Sequence, residues 1–146
     1  NPLIQWISRC NQIFIWHRFD YAKQQIKWNS RQGDTSSMIK RYPDIRPYKT
    51  QFIAVTAPHQ LYVEESGNPE GIPVLFIHGG PGGGTAVTDR CFFDPEKYRI
   101  ILFDQRGAGK SKPYADITNN TTQHLIADME ALRTHLSVDR WVLSWI

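Results

Sequence analysis

From Phe52 onward the chain is written in short apolar runs separated by turn-forming residues. Phe52 to Thr56 predicts a strand, and Pro58-His59 a turn. Gln60-Leu61-Tyr62-Val63-Glu64 predicts a second strand, closing at Ser66-Gly67-Asn68-Pro69. Val74 to Ile77 is uninterrupted by polar residues, the pattern of a strand covered on both faces. Tyr98 to Phe103 is another strand. Over Asn120 to Leu136 the period lengthens: Leu125, Ile126, Met129, Leu132 and Leu136 form one stripe of a helix. Asn120 and Gln123 give that helix a capping-box-like start. Trp141-Val142-Leu143 opens a last strand. A hairpin followed by strands alternating with crossover segments predicts an α/β fold with a mainly parallel sheet.

Residues 1–37 have a different character. They hold three of the five tryptophans (Trp6, Trp16, Trp28) and one glycine, Gly33. Leu3, Ile4, Ile7, Cys10 and Phe14 fall at helical spacing and allow a short amphipathic helix. Gln5, Ser8, Arg9, Asn11 and Gln12 interrupt the apolar residues, which does not suit a secretory signal. The first nineteen residues lack acids and include Arg9 and Arg18, as in an organellar transit peptide, but serine is scarce. Met38 follows a polar stretch. The expected organisation is an upstream addition over 1–37 and a domain over 38–146 that starts at Met38.

Charge sharpens this division. Residues 1–37 carry five Lys/Arg against two Asp/Glu, whereas 38–146 carry twelve of each. The net charge of +3 therefore belongs to the first part, and the balanced domain gives no electrostatic reason to expect nucleic acid. Cys10 and Cys91 match neither a metal-site spacing nor a disulfide framework, and no apolar run reaches the length of a membrane span. The expectation is a cytoplasmic protein with reduced thiols and no metal or cofactor.

The chemistry gathers where the Val74–Ile77 run breaks into His78-Gly79-Gly80-Pro81-Gly82-Gly83-Gly84. A buried strand ending in such a loop presents bare backbone N–H groups at its carboxyl end, where ligands bind in open α/β sheets. Gly107-Ala108-Gly109-Lys110-Ser111 mimics a phosphate-binding loop. The position five before Gly109 is Asp104 rather than glycine, and Lys112-Pro113 opposes the helix that such a loop must open. Asp104-Gln105-Arg106-Gly107 reads instead as a structural turn in which Asp104 and Arg106 pair or bond nearby backbone. His78 has no acid or nucleophile near it in sequence and is read as a brace for the glycine loop. His124 and His135 are read as surface or satisfied helix residues.

These motifs occur in a specific order. Tyr42-Pro43-Asp44-Ile45-Arg46-Pro47-Tyr48 precedes His59-Gln60-Leu61-Tyr62-Val63-Glu64-Glu65-Ser66-Gly67-Asn68-Pro69. The glycine loop, Phe92-Phe93-Asp94-Pro95, Asp104-Gln105-Arg106-Gly107 and Asn120-Thr121-Thr122 then follow. From about Arg41 to Leu143 the chain resembles the N-terminal region of bacterial-type proline iminopeptidases. The resemblance implies the N-terminal half of an α/β-hydrolase fold and a serine mechanism that releases N-terminal proline from peptides. It implies that Gly80 supplies one backbone N–H of an oxyanion hole. Glycine allows the approach to about 3 Å that this role needs, and Pro81 restricts its neighbour. Acidic groups in a helical cap would hold the substrate's imino group, with no cofactor.

The family continues from the last strand through Gly-Gly-Ser-Trp-Gly-Ser, whereas Ser144-Trp145-Ile146 follows Leu143 here. An alignment with three residues deleted puts Ser144 at the nucleophile. The sharper expectation is a chain truncated at the nucleophile strand, without the catalytic Asp and His, and inactive alone. Such a chain would expose the last strand's edge and be of low stability. Two alternatives stand beside this reading: another α/β-hydrolase, such as an epoxide hydrolase or esterase, or a non-catalytic binding module.

Overall fold

The computed structural model describes residues 41–79 and 82–145, together with the backbone of 13–15. Six strands form one mixed sheet: β1 (Ile13–Ile15), β2 (Lys49–Ala54), β3 (Gln60–Gly67), β4 (Ile72–Ile77), β5 (Tyr98–Phe103) and β6 (Trp141–Trp145). Their spatial order is β1-β6-β4-β5-β3-β2. β2 pairs antiparallel with β3, and β3 with β5. The β5–β4, β4–β6 and β6–β1 pairs are parallel. A 3₁₀ helix (Val87–Phe92) lies in the β4–β5 crossover, and α1 (Thr122–His135) in the β5–β6 crossover.

Period-two alternation sorts the central strands into two cores. Leu75 and Ile77 of β4, Ile101 and Phe103 of β5, and Trp141 and Leu143 of β6 face α1, meeting Met129, Leu132 and Leu136. Val74 and Phe76 of β4, with Ile100 and Leu102 of β5, face the other way and meet Phe93. Both faces of β4 and β5 are thus covered, which explains their unbroken apolar sequence. On β3 the same alternation buries Glu64, whose two carboxylate oxygens accept from Arg90 Nε at 2.6 Å and Nη2 at 2.9 Å. That pair ties the 3₁₀ helix to the sheet.

Several expectations need correction. β2 starts at Lys49 and ends at Ala54, and the backbone from Val55 to His59 turns, with Val55 N donating to His59 O. The cap of α1 is Thr121, whose side-chain oxygen accepts from His124 N, so the helix begins two residues later than expected. The outer edge of β6 is not bare, because Ile13, Phe14 and Ile15 register against Trp141, Val142 and Leu143. Phe14 therefore belongs to a strand and not to the amphipathic helix read over Leu3 to Phe14. The rest of that helix, Cys10 and the expected start at Met38 lie outside the described residues.

Candidate active site

β4 and β5 run parallel and end side by side, so the residues that follow them meet at one mouth of the sheet. His78 follows Ile77, and Asp104 and Gln105 follow Phe103. His78 is buried. Its Nε2 accepts from the Gln105 backbone N–H at 3.0 Å, which fixes the ring proton on Nδ1, itself 3.3 Å from Gly79 O. The Gln105 side chain returns the contact, donating from Nε2 to His78 O at 2.7 Å. One ring nitrogen is thus held by the Gln105 amide and the other lies against the Gly79 carbonyl, so both face neighbouring backbone.

Asp104 is 1% exposed and bonds backbone rather than Arg106. One oxygen accepts from Thr85 N at 2.7 Å and Thr85 Oγ1 at 2.9 Å. The other accepts from Lys110 N at 2.8 Å. Ser111 Oγ donates to Asp104 O at 2.5 Å and accepts from Tyr62 N. Gly107 and Gly109 have φ of +67° and +53°, and Gly109 N donates to Gly83 O at 3.0 Å. A Cβ on Gly109 would collide with the Asp104 carboxylate. Gly107-Ala108-Gly109-Lys110-Ser111 is thus a turn wrapped around a buried carboxylate. Lys110 Nζ stands 4.4 Å from the Tyr62 ring centroid.

Arg106 turns the other way. Its Nε and Nη2 donate to the two oxygens of Asp128 on α1 at 2.6 and 2.7 Å, and its Nη1 donates to Asn119 O at 2.9 Å. This buried fork fixes the start of α1 beside the end of β5. Between them lies a cavity of about 290 Å³ lined by His78, Gly82, Gln105, Ala108, Thr121 and Leu125, among others. His124 is partnered, its Nδ1 lying 2.8 Å from Thr121 Oγ1, and His135 is exposed.

Of the residues singled out in the sequence, His78, Gly79, Gly82, Asp104, Arg106 and Gly107 gather at this end of the sheet. Gly80 and Pro81 lie outside the described residues. Ser144 does not join them. It sits within β6, registered with Phe76, so it occupies a strand and not a strand-to-helix turn. Thr85 and Asp128 were not singled out. Thr85 directly follows the glycine run, which was a usable signal, but nothing local marks Asp128 as the partner of Arg106. Among the described residues no group of His, Cys, Asp and Glu could hold a metal ion, and no helix is long and apolar enough to cross a membrane.

A family model for the alpha/beta hydrolase fold matches residues 72–144. A proline iminopeptidase from Xanthomonas citri is 58% identical over 100 residues, covering 68% of this chain and 32% of that protein. One from Arabidopsis thaliana is 55% identical over 107 residues, covering 71% and 28%. The crystal structure of a proline iminopeptidase-related protein from Thermus thermophilus superposes with a TM-score of 0.58 at 34% identity, covering 69% of this chain and 36% of that one. The chain spans about a third of the length of the curated relatives it matches.

Proposed function

Because the chain belongs to the alpha/beta hydrolase fold family, we propose that its glycine loop forms one wall of the active site of a serine aminopeptidase that releases N-terminal proline from peptides. The observation that carries this reading is the loop's place. It leaves β4 at the carboxyl end of the parallel strands, beside the cavity, and His78 and Thr85, on either side of Gly80-Pro81, are bonded to Gln105 and Asp104 just after β5. The identity of more than half to proline iminopeptidases supports a prolyl peptide as the substrate class.

In this reading Gly80 donates its backbone N–H to the oxyanion that forms when a serine attacks the scissile carbonyl. A second donor comes from the residue after that serine. The donors act because they are already aimed at the position where charge develops. In this reading neither His78 nor Asp104 serves as the histidine or the aspartate of the triad. His78 Nε2 accepts from the Gln105 amide, and the Asp104 carboxylate accepts from the Thr85 and Lys110 amides. On this reading residues 1–146 alone are expected not to turn over. A peptide with a free N-terminal proline is the expected partner. The balanced charge of residues 38–146 gives no basis for nucleic acid or membrane binding, and the buried free thiol of Cys91 fits a cytoplasmic setting.

The test is release of nitroaniline from prolyl p-nitroanilide by the full-length gene product, with kcat on the order of 1–1,000 s⁻¹, and none above background from residues 1–146. Turnover of an aryl ester or an epoxide in preference to the prolyl substrate would instead support the esterase or epoxide hydrolase alternative.

A further inference from the structure

We infer that Asp104 and Gln105 are positioning residues for catalysis, holding the two flanks of the glycine loop so that its amide is aimed before substrate arrives. The inference rests on the oxyanion role proposed above. Gln105 takes the leading flank: its side chain donates to His78 O at 2.7 Å, and its backbone N–H donates to His78 Nε2 at 3.0 Å. Asp104 takes the trailing flank, accepting both the N–H and the hydroxyl of Thr85. Gly109 N reinforces this flank by donating to Gly83 O. Two consecutive residues of one rigid strand end thus fix the segments that bracket Gly80-Pro81.

The arrangement differs from ordinary loop packing in one respect. The Asp104 carboxylate is buried, yet among the described residues its bonded partners are two backbone N–H groups and a hydroxyl, with no cation among them. A buried charge satisfied by several oriented dipoles holds its donors at defined positions, because moving any one of them leaves the charge undersolvated. Oxyanion stabilisation depends on this kind of preorganisation, and misplacement of about 1 Å can cost on the order of a hundredfold in rate.

The experiment uses the full-length gene product and the variants Thr85→Ser, Thr85→Val, Gln105→Leu and Asp104→Asn. Active sites are titrated with a serine-directed fluorophosphonate, and kcat is expressed per titrated site. Thr85→Ser keeps both bonds and is expected at wild-type kcat. Thr85→Val and Gln105→Leu are expected to lose about tenfold and Asp104→Asn up to about a hundredfold in kcat, within the range for misplaced groups. KM and the inhibition constant of free proline stay unchanged, and affinity for a prolyl boronate falls in step with kcat. Folding effects alone would lower the titrated fraction without changing kcat per site, and that result overturns the inference. If Asp104→Asn does not fold, the two Thr85 variants and Gln105→Leu still decide. Wild-type protein that hydrolyses prolyl p-nitroanilide while these variants match it sinks the positioning role alone. Wild-type protein without that activity sinks the functional reading and this inference with it.

Discussion

Thr85 and Asp104 stand nineteen residues apart in sequence and are joined by two hydrogen bonds to one carboxylate oxygen, from the threonine amide at 2.7 Å and its hydroxyl at 2.9 Å. The contact binds the crossover after β4 to the end of β5. Gly109 passes directly over the same carboxylate with φ of +53°, where any Cβ would strike it.

Gly109→Ala therefore combines a left-handed backbone with a steric conflict against a buried charge. The expected destabilisation is about 2 kcal/mol or more, from strained conformation and overpacking together. Urea denaturation measures it. Gly82→Ala serves as a control, since a Cβ there meets nothing within 4 Å and only its positive φ of +80° is strained; its loss should be smaller.

Asp128→Ala removes one half of a buried fork and leaves the Arg106 guanidinium uncompensated. Loss of one partner from such a pair costs about 3–5 kcal/mol. The same measurement should show Asp128→Asn less affected, because an amide still offers an oxygen acceptor to the guanidinium. Equal stability of wild type and Asp128→Ala would show that the fork carries no such weight.

Leu132→Ala empties the α1-facing core at a fully buried position. The expected loss is about 2–5 kcal/mol, with the value set by how far Met129, Leu136 and Trp141 collapse into the space. Substitution of exposed Ile117 by Ala should change stability by less than about 0.5 kcal/mol.

Burial raises the Tyr62 hydroxyl above its ordinary value of about 10, and the neighbouring Glu64 carboxylate, which accepts its hydrogen bond, adds to the rise. The folded state therefore favours the neutral phenol. Its contribution is fully present below pH 10 and is lost as pH climbs through the raised folded value. Thermal unfolding between pH 8 and 11 should show a decline at the alkaline end that is shallower in Tyr62→Phe. Tyr48 is raised in the same direction, by burial and by Glu65, so part of the decline should persist.

The elements that the sequence discloses most fully are those whose residues answer to local rules. β5 matches its expected bounds at both ends, and its last four residues form the apolar stretch buried on two faces. β4 is two residues longer than its apolar run, since Ile72 and Pro73 enter the strand ahead of the buried stretch. β2 was displaced because its register is set by pairing with β3, not by its own alternation. At the start of α1, Asn120 was an equally good cap on composition, but its side chain donates to Arg106 O, which leaves Thr121 to cap the helix. The strand at Ile13–Ile15 had no periodic signal of its own and depends on the exposed edge of β6. At the candidate site, the glycine loop and the Asp104 turn were legible as motifs, whereas the pairing of Arg106 with Asp128 across 22 residues was not.

The most direct measurement is the distance from the Gly80 amide nitrogen to the boronate oxygen in a crystal structure of the full-length gene product with a prolyl boronate bound. The account predicts about 3 Å, with the N–H directed at that oxygen. An amide facing away from the adduct, or already bonded within the protein, would contradict it.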